Sequence, residues 1–97
     1  MFWLEIKMNV YRIIQEAFNN INKYANATKI GLILDTEDDF LYLEINDNGV
    51  GFNEKKVKNG IGLKNMKSRT EAMKGEISIT SEKGKGTSIK LKVPLVN

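Results

Sequence analysis

The chain has 97 residues and neither cysteine nor histidine, which allows one domain of modest core and excludes disulfide frameworks, thiol nucleophiles and histidine-based acid–base or metal chemistry. Hydrophobic residues make up 41% and charged residues 28%, the balance of a folded globular domain. No apolar run approaches the roughly 20 residues that span a bilayer, and the opening Met1-Phe2-Trp3-Leu4 is too short for a signal-peptide core, so a cytoplasmic setting without direct membrane contact is expected. Fifteen Lys and Arg against twelve Asp and Glu leave a formal charge of +3; no aromatic residues interleave with the lysines to stack bases, so the balance suits a small anionic ligand and no nucleic acid is expected.

From Val10 to Ala25, apolar Val10, Ile13, Ile14, Ala17, Ile21 and Tyr24 recur at three- and four-residue spacing, which predicts an amphipathic helix. The period then changes to two. Ile30, Leu32 and Leu34, and after Thr36-Glu37-Asp38-Asp39 also Leu41, Leu43 and Ile45, predict a hairpin of two half-buried strands. Asp47 to Asn59 carries glycine and asparagine turn signals and reads as a long, functional loop. A second helix is expected from about Leu63 to Met73, burying Leu63, Met66 and Met73 and stopped by Gly75. Glu76–Ser81 and Thr87–Val93 alternate strictly around Glu82-Lys83-Gly84-Lys85-Gly86, a second hairpin, and Pro94 ends the last strand. The expected fold is therefore α+β, a two-layer sandwich with helices on one face of a mostly antiparallel sheet.

Three polar clusters interrupt these patterns. Glu16, Asn20 and Lys23 fall at i, i+4 and i+7, so one helix flank presents a carboxylate, an amide and an ammonium, a row suited to Mg²⁺ with attached phosphates or simply to solvent. Asp47-Asn48-Gly49-Val50-Gly51 places a carboxylate at a strand end beside a backbone without Cβ atoms. Such a carboxylate can accept from an exocyclic amine, although an Asx turn would use the same residues. Gly60-Ile61-Gly62-Leu63 precedes a helix whose free N–H groups favour phosphate, and Gly84-Lys85-Gly86-Thr87 alone is an ordinary hairpin turn. Asn65 stands where a dinucleotide fingerprint needs its third glycine, and no Walker lysine motif is present.

Taken in order, Glu16/Asn20/Lys23, Asp47-x-Gly49-x-Gly51, Gly60-x-Gly62-Leu63 and Gly84-x-Gly86-Thr87 resemble the N, G1, G2 and G3 boxes of the ATPase superfamily of gyrase, Hsp90, histidine kinases and MutL, the Bergerat fold. Gly62-Leu63-Lys64-Asn65-Met66-Lys67-Ser68-Arg69 with Gly75 is most similar to kinases of the DesK, LiaS and ComP group, which pair with NarL-type response regulators. The resemblance implies that Asn20 binds Mg²⁺ with Glu16 and Lys23 near metal and phosphates, and that Asp47 accepts the adenine amino group. It further implies that Gly49 and Gly51 make room for the base, that Gly60 and Gly62 anchor a lid over 53–59 and set a helix start near the phosphates, with Ile61 and Leu63 also at the nucleotide, and that Thr87 lines the pocket beside Asp47.

The implied activity is that of a histidine kinase catalytic domain, which binds Mg·ATP and supplies the γ-phosphate to a histidine on a separate dimerization domain, with a response regulator downstream. With no histidine in the chain, autophosphorylation cannot occur within it. Tyr24 stands where many members of this group have His. Members also usually carry a strand ahead of the first helix, for which Met1 to Met8 leave little room. The resemblance thus implies a single, shortened domain, monomeric or weakly dimeric, whose open sheet edge could pair with another copy. Other readings of the same boxes are an ATPase switch in which Glu16 activates water, an anti-sigma-factor serine kinase, and a nucleotide-sensing or docking module without turnover.

Overall fold

The computed structural model describes residues 2–22, 26–51 and 63–95. In chain order they form α1 (Trp3–Asn20), β1 (Ile30–Glu37), β2 (Phe40–Asp47), α2 (Leu63–Ala72), β3 (Glu76–Glu82) and β4 (Gly86–Pro94). The strands make one antiparallel sheet in the order β1-β2-β4-β3. Leu41, Leu43 and Ile45 of β2 stand opposite Val93, Leu91 and Ile89 of β4, and this one face joins Ile6, Val10, Ile13, Ala17 and Ile21 of the first helical segment and Leu63, Met66 and Met73 of the second in a single core. The architecture is the expected α+β sandwich. None of the described helices is long and apolar enough to cross a membrane.

The first helix begins at Trp3, not Val10. Ile6 lies one turn before Val10 and is equally buried, no Gly or Pro interrupts the segment, and Glu5 complements the dipole in the first turn. The expected continuation through Lys23, Tyr24 and Ala25 lies outside the described residues. The second helix matches its expected span, and Thr70, buried beside Met66, satisfies its hydroxyl by donating to the Met66 carbonyl at 2.8 Å.

Its stop is achieved differently from expectation. Lys74, at φ 58, holds the left-handed position, and the Gly75 N–H reaches back to the Thr70 carbonyl at 3.0 Å. Gly75 is required for space instead: a Cβ there would stand 2.7 Å from the Lys92 carbonyl oxygen of β4.

The hairpin between β1 and β2 turns on Asp38 and Asp39, both at positive φ, with Glu37 opposite Phe40. Two central residues at positive φ match the twist of the flanking strands. Half-burial of both strands does not hold. β2 alternates as expected, whereas every residue of β1 is exposed. Among the described residues β1 is the edge strand and no helix covers it, so its alternation finds no partner surface there. Residues 53–59, the expected lid, lie outside the described residues.

Candidate functional site

Asp47 ends β2 and stands directly opposite Thr87 near the start of β4. Opposed residues of an antiparallel pair project from the same face, and this pair follows Ile45 and Ile89 on the helix-covered side. Both side chains are half-buried. A carboxylate and a hydroxyl therefore sit together at the rim of the core, where an apolar ring could enter and its polar edge be read.

The loop after Asp47 is held by several bonds. One Asp47 carboxylate oxygen accepts the Gly49 N–H at 2.7 Å, leaving the remaining carboxylate capacity available to a ligand donor. The Asn48 amide oxygen accepts the N–H groups of Thr28 and Lys29, each at 2.9 Å, and its amide nitrogen donates to the Thr28 hydroxyl at 2.9 Å. These bonds fasten Thr28 and Lys29, ahead of β1, to the end of β2. Asn48 is a site-building residue to which sequence reasoning assigned no role; its only signal was its place inside the glycine cluster.

The β3–β4 turn closes the other side. The Gly84 N–H donates to the Val50 carbonyl. Gly51 and Gly86 both have positive φ, and a Cβ on Gly51 would collide with the Glu82 carbonyl, one on Gly86 with that of Asp47. At Gly51 the missing side chain is thus used by the chain's approach to itself. The hydroxyl oxygens of Ser81 and Thr87 are 2.9 Å apart, so Ser81 fixes the Thr87 rotamer. Sequence reasoning did not single out Ser81, although the alternation puts it in phase with the inward-facing Ile77 and Ile79.

On α1, Glu16 and Asn20 are half-buried and share a flank with Asn9, which accepts from the Arg69 guanidinium of α2 at 3.3 Å. That flank faces the second helix. One carboxylate and one amide oxygen at helical spacing fit Mg²⁺, which takes few protein oxygens and keeps waters or phosphates on its other positions. No cluster of three or more acidic residues suited to an all-protein metal cage occurs among the described residues. Leu63 is buried at the start of α2. Lys23, Gly60, Ile61 and Gly62 lie outside the described residues. A separate groove on the opposite sheet face, lined by Tyr42, Glu44, Ser78, Lys90 and Lys92, is remote from all these groups.

The sequence profile of the family described as histidine kinase-, DNA gyrase B-, and HSP90-like ATPase matches residues 5–97. Sensor protein VraS of Staphylococcus aureus is 41% identical over 91 residues, 93% of this chain and 26% of VraS. Sensor histidine kinase LiaS of Bacillus subtilis is 37% identical over 91 residues, 93% of this chain and 25% of LiaS. The chain thus spans about a quarter of the length of these relatives. Among solved structures, the histidine kinase domain of the Erythrobacter litoralis EL346 blue-light activated histidine kinase superposes with TM-score 0.80 at 18% identity, covering 94% of this chain and 45% of that one. Acinetobacter baumannii histidine kinase AdeS gives 0.77 at 20% identity, covering 93% and 47%. These two likenesses establish the fold.

Proposed function

Because this chain belongs to the histidine kinase-, DNA gyrase B- and HSP90-like ATPase family, we propose that it binds Mg·ATP and presents the γ-phosphate to a histidine on a separate dimerization domain, as the catalytic part of a cytoplasmic kinase module in two-component signalling. The observation that carries the reading is the Asp47–Thr87 pair on the helix-covered face, buttressed by Gly49 and Gly86. Asp47 accepts the adenine amino group and Thr87 lines the same edge of the base. Asn20, with Glu16 beside it, holds the divalent ion, which offsets phosphate charge. Lys23 and the Gly60–Leu63 segment serve the phosphates.

Phosphoryl transfer asks a protein mainly for positioning and charge stabilisation. A site of two carboxylates, one hydroxyl, one amide, one ammonium and backbone N–H groups supplies both without a histidine or a thiol. The acceptor histidine comes from outside this chain, which contains none. The identities with VraS and LiaS support the sensor-kinase reading over an ATPase switch or a serine kinase, and the family resemblance of the Gly62–Arg69 run points to a response regulator of the NarL type as the final acceptor.

The test is calorimetric titration of the chain with a non-hydrolysable ATP analogue in Mg²⁺, in parallel with Asp47→Asn. Asparagine keeps the oxygen that accepts the Gly49 N–H but replaces carboxylate by amide. Saturable binding should weaken on the order of 10- to 100-fold in the variant, the value of a charge-assisted hydrogen bond, with an unchanged melting temperature. Equal affinity of the two proteins, or no binding by the native chain, would remove the proposal.

A further inference from the structure

The end of β2 is walled on one side and tied on the other, and both restraints meet at Asn48. In the sheet order, β1 and β4 flank β2. On the β4 side stands the backbone of Gly86, where an added Cβ would lie 3.2 Å from the Asn48 Cα. On the β1 side, Asn48 makes four hydrogen bonds to two consecutive residues. Its N–H donates to the Lys29 carbonyl at 3.2 Å. Its amide oxygen accepts the N–H groups of Thr28 and Lys29, and its amide nitrogen donates to the Thr28 hydroxyl, each at 2.9 Å.

The other bonds of this turn do not do the same work. The Asp47 carboxylate accepts the Gly49 N–H at 2.7 Å, but that bond spans two residues and travels with the turn, so it sets the side-chain direction and leaves the position of the turn open. Val50 is held by the Gly84 N–H, on the far side of a glycine from Asp47. The side-chain bonds of Asn48 to Thr28 and Lys29 span 20 and 19 residues. They fix the turn, at the residue next to Asp47, against a segment that does not move with it.

We infer that Asn48 is a positioning residue for the adenine contact: by tying the turn to Thr28 and Lys29, it holds the Asp47 carboxylate where the 6-amino group meets it. The inference rests on the reading of Asp47 as the group that accepts from that amine. Hydrogen bonds weaken steeply as their geometry degrades, and a binding site must keep its groups within about 0.5 Å of the productive arrangement. Without the tie, the turn drifts away from the Gly86 wall and the carboxylate goes with it. Glu16 and Asn20 sit on α1 and do not share these bonds, so Asn48 acts on recognition of the base and not on the metal. Thr28, Lys29 and Asn48 are exposed; water therefore takes over the freed N–H groups, and the fold survives loss of the amide.

The test is calorimetric titration in Mg²⁺ with two ligands, a non-hydrolysable ATP analogue and the same analogue built on purine riboside, which lacks the 6-amino group. Both carry identical phosphates, so their affinity ratio reports the amine contact and cancels changes in net charge or folded fraction. The native chain should prefer the aminated ligand about 10- to 100-fold. Asn48→Ala should lower that preference roughly three- to tenfold, with affinity for the purine riboside ligand little changed. Asn48→Asp keeps an oxygen for both N–H groups, and its second oxygen accepts from the Thr28 hydroxyl, so it should restore the native preference. Thr28→Ala removes one of the four bonds and should lower the preference about twofold. A native chain without any preference would refute the reading of Asp47 and the inference with it. A native preference that persists undiminished in Asn48→Ala, both ligands weakening equally, would overturn the role of Asn48 alone, as would failure of Asn48→Asp to restore it. If Asn48→Ala does not fold, an undiminished preference in Thr28→Ala decides against the inference.

Discussion

The carbonyl of Asp47 and the α-carbon of Gly86 approach so closely that no side chain fits between them: a Cβ at Gly86 would stand 3.0 Å from the Asp47 carbonyl carbon and 3.2 Å from the Asn48 Cα, at a φ of 99°. The carboxylate proposed to read adenine is therefore set by the turn of a different hairpin.

Gly86→Ala should for this reason cost about 2–5 kcal/mol, from positive φ and from overpacking against backbone that cannot rotate away. Gly84→Ala is the internal control. Gly84 also has positive φ, but a Cβ there meets nothing within 4 Å, so only the conformational cost of about 1–2 kcal/mol applies. Urea denaturation of both variants measures the difference; equal costs would mean that the turn relaxes away from Asp47.

Ser81→Ala removes the hydroxyl 2.9 Å from that of Thr87 and leaves the Thr87 side chain free to rotate. Nucleotide affinity should fall about 3- to 10-fold, the value of one neutral hydrogen bond, and Ser81→Thr should restore it. Titration with the ATP analogue decides. Loss of affinity in the threonine variant as well would mark Ser81 as a packing residue instead.

Asn20→Ala separates metal from base. Binding of the nucleotide in excess chelator should match the native chain, because adenine recognition at Asp47 is untouched, while the gain on adding Mg²⁺ should disappear. Titrations with and without the ion compare the two increments directly, and a preserved increment would assign the metal to other groups.

The end of α2 offers a pair of opposite sign. Lys74→Gly relieves a side chain from the left-handed region and should stabilise the fold by about 0.5–1 kcal/mol. Gly75→Ala drives a Cβ against the Lys92 carbonyl oxygen and should destabilise by about 1–3 kcal/mol. Thermal melts of both variants are sufficient, and a stable Gly75→Ala protein would show that β4 can move aside.

Element identity was legible because it rests on local periodicity. Val10, Ile13 and Ala17 repeat at helical spacing whatever surrounds them, and Leu41, Leu43 and Ile45 alternate in the same way. Of the candidate site residues, Glu16, Asn20, Asp47 and Thr87 occupy the elements expected of them, and the glycine signals at 49, 51, 84 and 86 mark the two turns that meet.

What the chain order determined by itself was therefore the α+β layering, the two hairpins and the residue types available for chemistry. What only the tertiary structure decided was who faces whom. β1 and β2 alternate equally well in sequence, yet one is covered and the other bare, because burial depends on whether a helix lies above and no strand encodes its neighbour. Gly75 reads as a helix stop and acts as a spacer, since a glycine's absent side chain carries no record of what fills its place. The roles of Asn48 and Ser81 were illegible for the same reason: each depends on a register between strands or loops distant in the chain, which short-range spacing cannot specify, and Thr87 was set beside Asp47 by the family resemblance alone.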